Sequence, residues 1–106
     1  MQFQFNSDSR TPGHLDVAEQ IEALVRGKLH HVADRLSRVE VHVGHVNGPR
    51  NHDEIRCAVE LRPLGMRPIS AANEASSIEA AVSSATDKAL TAYSRQVGKQ
   101  TTRKGH

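Results

Sequence analysis

Two runs of the chain alternate apolar and polar residues with the period of a strand. Val39, Val41 and Val43 fall on one side of the first run, and Arg38, Glu40 and His42 on the other. Ile55, Cys57, Val59 and Leu61 repeat the pattern against Arg56, Ala58, Glu60 and Arg62. Successive strand side chains point to opposite faces, so the pattern predicts a sheet with one buried face and one wet, charged face. Gln2 to Asn6 alternates in the same way and predicts a short first strand, with a loop over Ser7–Gly13. The second strand is expected over Arg38–Val46 and the third over Ile55–Pro63. Asn47–Glu54, with Asn47-Gly48-Pro49 as its turn signal, forms the hairpin loop between them. A weaker fourth strand is expected from Pro68 to Asn73, after a turn at Gly65.

The other period in the chain is helical. Val17, Ile21, Leu24, Val25, Leu29, Val32 and Leu36 recur at spacings of three and four, predicting one amphipathic helix from Leu15 or Asp16. Asp16, Glu19 and Glu22 load its first turns with the negative charge a helix N-terminus favours. Gly27 weakens that helix by ~1 kcal/mol without dividing it. A second helix is expected from Ser76 or Ser77, with Ser76 and Glu79 at capping-box spacing. Its apolar side carries Ile78, Val82, Ala85, Ala89, Ala92 and Tyr93, and Gly98 is expected to end it. The order is β-α-β-β-β-α. Two single-striped helices and one single-faced sheet imply an α+β two-layer sandwich, with both helices on one face of a four-stranded sheet.

Length and charge narrow the function classes. The 106 residues are expected to form one domain over 1–98, followed by a disordered basic tail over 99–106. The net charge is only +2, but no acid follows Asp87, whereas Lys88, Arg95, Lys99, Arg103 and Lys104 do. The last nineteen residues carry +5 and the rest −3, an asymmetry that suits a polyanionic partner. At about 100° per residue, Arg95 and Lys99 lie about 20° to either side of Lys88, giving one basic line beside the apolar face. Lys28 sits within the apolar stripe of the first helix and must reach out along its methylene stem, to the rim of the helix–helix groove or to a phosphate.

Other chemistry finds little support. His42 and His45 point to opposite faces of a strand, and His30 and His31 diverge on a helix. With His14, His52 and His106 included, no pair has the i, i+4 helical spacing that would favour a metal site. Glu40 and Glu60 suit a cross-strand charge ladder with Arg38, Arg56 and Arg62 better than a catalytic carboxylate pair. No phosphate loop, nucleophile elbow or Cys-x-x-Cys occurs. The expectation is therefore no enzyme, catalytic residue, metal, cofactor or small-molecule substrate. Cys57, the single cysteine, alternates with Ile55 and Val59 and reads as a small core residue, consistent with a reducing compartment. Neither a secretory signal nor an apolar run of ~20 residues is present, so a cytoplasmic protein without membrane contact is expected.

The residues also carry a resemblance. Arg38–Val43, Asn47-Gly48-Pro49-Arg50, Arg56–Pro63 and Arg67-Pro68-Ile69, in that order, resemble the ribosome hibernation-promoting factor and ribosome-associated inhibitor family in its short form. Met1-Gln2-Phe3 is similar to the family's first strand, and Asp87-Lys88 resembles the Asp-Lys that begins the basic half of its last helix. The resemblance implies a translation inhibitor of stress or stationary phase. Its partner would be the small ribosomal subunit, bound in the cleft where mRNA and tRNA sit, through basic side chains on rRNA phosphates. Carried over by position, those side chains are Lys28, Lys88, Arg95 and Lys99. The chain departs from the family at Thr91, where a basic residue is usual. It also resembles members without the C-terminal dimerisation domain, so a monomer or weak dimer is expected. The alternative is an RNA-binding stress protein of the same fold without silencing activity.

Overall fold

The structure is a computed structural model that describes residues 1–8, 15–47 and 53–104. Its elements are β1 (Gln2–Ser7), α1 (Leu15–Leu29), a 3-10 turn (Ala33–Arg35), β2 (Leu36–Asn47), β3 (Asp53–Pro63), β4 (Ile69–Ala75) and α2 (Ile78–Lys104). The four strands form one sheet in the order β1-β2-β3-β4. β1 runs parallel to β2, and the other pairs are antiparallel. The parallel pair needs a crossover, which α1 supplies. α2 lies against β3 and β4, and α1 lies against β1 and α2. The result is the two-layer β-α-β-β-β-α sandwich that the periodicities predict.

The buried face follows the alternation. Val39, Val41, Val43, Ile55, Cys57, Val59 and Leu61 are buried with Ile21, Val25 and Leu29 of α1 and Val82, Ala85 and Tyr93 of α2. Ala81, Ala85 and Ala89 are completely buried, and their small side chains let α2 approach the sheet closely. Thr86 is also buried there, with its hydroxyl donating to the Val82 carbonyl at 2.7 Å. Burial of this kind stabilises by roughly 25 cal/mol per Å² of apolar surface.

The wet face forms the expected charge ladder. Glu40 stands directly opposite Glu60 in the β2–β3 register. Arg62 bridges this like-charged pair, at 3.2 Å from Glu40 and 3.0 Å from Glu60, and Arg38 lies 3.3 Å from Glu40. Arg56 instead pairs outward with Glu74 of β4, at 3.9 Å.

Several boundaries differ from the sequence expectation. α1 stays continuous through Gly27 but ends at Leu29. Val32 and Leu36 are buried as the stripe predicts, yet they lie in the turn after the helix and at the start of β2. Helical spacing cannot separate a continuing helix from a tight buried turn. A bulge between Leu36 and Arg38 lets both Leu36 and Val39 face the core, and the Ser37 hydroxyl donates to the Arg62 carbonyl beside it. β4 begins at Ile69 and extends to Ala75, two residues beyond the expected Asn73. Its inward residues Ala71 and Ala75 are too small to mark a strand by hydropathy.

α2 is capped by Ser77 rather than Ser76. The Ser77 hydroxyl accepts from the Ala80 amide at 3.2 Å, so the Ser76–Glu79 capping box does not form. α2 also passes through Gly98, its expected end, and runs to Lys104. Glycine lowers helix propensity but stops a helix only where it takes the left-handed conformation, which among the described glycines only Gly65 does (φ 72°). The Ser9–His14 part of the first loop, the hairpin tip at 48–52, and residues 105–106 lie outside the described residues, and with them His14, His52 and His106.

Candidate nucleic-acid interface

α2 presents its cations as the helical period requires. Lys88, Arg95 and Lys99 are exposed, and because the helix continues past Gly98 all three lie on one unbroken element. Lys88 to Lys99 spans eleven residues, about 16 Å of helix at 1.5 Å per residue. Asp87, Lys88, Thr91, Ala92 and Arg95 line a surface depression of about 400 Å³. Lys88 also borders a second depression of about 310 Å³ with Arg56, Ala72, Asn73 and Glu74, which carries the polar surface around the β4 edge.

The cations differ in what holds them. Lys88 Nζ donates to Asn73 Oδ1 at 2.7 Å and lies 3.5 Å from the Ala72 carbonyl, so β4 fixes its side chain. Both partners are neutral, and the ammonium keeps its charge uncompensated. Lys28 is different. It leaves the buried stripe of α1 for the helix–helix rim, where Nζ donates to Asp87 Oδ1 at 2.9 Å. The Lys28 side chain is 25% exposed and that of Asp87 60%, so the pair is wet on its acidic side. Arg95 and Lys99 have no carboxylate within ion-pair distance among the described residues.

Of the four cations expected from the sequence, the structure thus strings Lys88, Arg95 and Lys99 along α2. It brings Lys28 to the same layer through Asp87. The roles of Asp87 and Asn73 were not anticipated. A signal existed for Asp87, since a lysine inside an apolar stripe needs a partner and Asp87 is the last acid of the chain. None existed for Asn73, whose reach to Lys88 depends on how β4 and α2 are juxtaposed. The arrangement is a shallow, elongated cationic strip suited to a phosphate backbone.

The remaining titratable groups have local roles. His42 lies 3.5 Å from Glu40 and within 3.4 Å of the Asn6 amide on the wet face. His45 lies 3.9 Å from Asp8. His30 and His31 do not diverge along a helix; they occupy the turn after α1 with their rings edge to face, 5.8 Å apart. Among the described residues, no group of three or more His, Cys, Asp or Glu side chains is placed to hold a metal. Cys57 is completely buried, and burial pushes its thiol up to about 12. Among the described residues, no helix is long and apolar enough to cross a membrane.

Comparison with known proteins adds to this picture. The family model described as sigma 54 modulation protein / S30EA ribosomal protein matches residues 11–104. A solved structure described as a ribosomal subunit interface protein from Coxiella burnetii superposes with a TM-score of 0.70 at 18% identity, covering 92% of this chain and 99% of that one. At that identity the likeness establishes the fold. No protein with a curated description matches the chain.

Proposed function

Because the chain belongs to the sigma 54 modulation protein / S30EA ribosomal protein family, we propose that it is a ribosome-associated translation inhibitor acting on the small subunit. The observation that carries the reading is the cationic strip of Lys88, Arg95 and Lys99 on α2, with Lys28 beside it on α1. A side chain that bonds neutral groups, as Lys88 does, loses little by turning to a phosphate and gains a charge-assisted contact. A solved structure of the same fold is described as a ribosomal subunit interface protein, which supports a ribosomal partner.

The mechanism needs no chemistry on substrate. A folded domain whose helices lie along rRNA phosphates occupies space that mRNA and tRNA require, and inhibition follows from exclusion. The contacts assigned to rRNA are Lys28, Lys88, Arg95 and Lys99. The protein acts in the cytoplasm, under stress or in stationary phase, as a monomer or weak dimer without cofactor. RNA binding without silencing is the second reading, favoured by the exposed, uncharged Thr91 between Lys88 and Arg95.

The test is cell-free translation with purified protein added to ribosomes before or after mRNA and initiator tRNA. The exclusion reading predicts strong inhibition when the protein is added first and weaker inhibition on preloaded ribosomes. Binding to ribosomes with translation untouched even in excess would overturn it in favour of the second reading.

A further inference from the structure

Among the described residues, Asp87 is the one carboxylate lining the depression that Lys88 and Arg95 share on α2. It lines the same depression as Lys88, Thr91 and Arg95, and it holds Lys28 at 2.9 Å. A phosphate that reached Lys28 and Lys88 together would lie beside the Asp87 carboxylate. We propose that Asp87 is an internal competitor for the RNA phosphate, occupying Lys28 in the free protein and limiting affinity for RNA. The inference rests on the phosphate-binding reading of this surface and adds a residue that sets its strength.

The physical argument is one of exchange. The Lys28 side chain is 25% exposed, its stem lying along the apolar stripe, and its ammonium is held by the carboxylate beside it at 2.9 Å. Binding a phosphate there exchanges one anion for another, and the net electrostatic gain is small. Lys88 has no such rival, because Asn73 and the Ala72 carbonyl are neutral. The wild-type surface therefore counts Lys88, Arg95 and Lys99 as full cations and Lys28 as a masked one.

Asp87→Asn keeps the shape of the side chain and removes the charge. The pair is partly exposed and adds little to stability, so the variant folds; Asp87→Ser serves as a second variant, and the thermal midpoint checks both. Affinity for purified small ribosomal subunits is measured by co-sedimentation across a salt series. Asp87→Asn is expected to bind roughly two- to fivefold more tightly, the range of one exposed ion pair. Its log–log salt dependence should steepen by about 0.9, one further phosphate neutralised. In Lys28→Gln/Asp87→Asn, both gains should vanish and affinity should return to within roughly twofold of wild type.

Three results overturn the inference. Unchanged or weaker binding by Asp87→Asn means that Asp87 positions Lys28 instead of masking it. A steeper salt dependence that survives without Lys28 means that the masked cation is not Lys28. Absence of binding by wild type and Asp87→Asn alike overturns the phosphate-binding reading together with the inference, and is thereby distinguished from the other two.

Discussion

Replacing Val59 with Ala tests the two-faced sheet on which everything else is mounted. Val59 is completely buried, opposite Val41 in one neighbouring strand and Ala71 in the other. The substitution deletes two methyl-sized groups, worth ~1.6 kcal/mol in transfer at ~0.8 kcal/mol each. The β2–β4 frame cannot collapse fully around the void, so the total should reach ~2–3 kcal/mol. For a chain of this length, that corresponds to a fall in the thermal midpoint on the order of 10 °C.

The adjacent Glu60 points the other way, with its side chain 29% exposed and paired to Arg62. Glu60→Ala removes a surface ion pair but also relieves the facing Glu40, so it should cost less than ~1 kcal/mol. Glu40→Ala should fall between the two, at roughly 1–2 kcal/mol, because Glu40 is only 14% exposed and is shared by Arg38 and Arg62. Urea unfolding followed by far-ultraviolet circular dichroism gives all three values. A Glu60→Ala loss equal to that of Val59→Ala would mean the strand register is wrong.

Two further outcomes follow from the same structure. Thr91→Arg places a cation in the depression between Lys88 and Arg95 and should raise affinity for small subunits by roughly two- to fivefold, the range of one exposed ion pair, read from the same co-sedimentation series. Cys57, buried and held as a thiol up to about pH 12, should resist alkylation by iodoacetamide at pH 8 in the native protein and react readily in urea; equal rates in both would place it at the surface.

The legible part of the fold was the part set by period. Val39, Val41 and Val43 against Arg38, Glu40 and His42 fixed the faces of β2 before any coordinate, because alternation has one geometric solution on a strand. Val32 and Leu36 misled because a buried turn and a strand start can satisfy helical spacing by chance. Gly98 misled because a glycine is needed at a helix end only when the backbone turns left-handed, and propensity does not say whether it will. The basic line of α2 was legible for the same reason as the sheet, since a helix maps residue number onto angle. What was not legible is pairing between elements. Lys28 and Asp87 are far apart in sequence, as are Asn73 and Lys88, and only the juxtaposition of α1, α2 and β4 brings them together.

The central claim is that the cationic strip of α2 binds the small ribosomal subunit. The direct measurement is co-sedimentation of the protein with purified small subunits at low and raised salt, wild type beside Lys88→Glu/Arg95→Glu. Both side chains are exposed, so the double variant should keep a thermal midpoint within a few degrees of wild type. The account predicts saturable binding of about one copy per subunit, lost steeply with salt at a slope of about 0.9 per phosphate contacted, and largely abolished in the double variant. Wild-type binding that the double variant retains in full, with the same salt dependence, would contradict it.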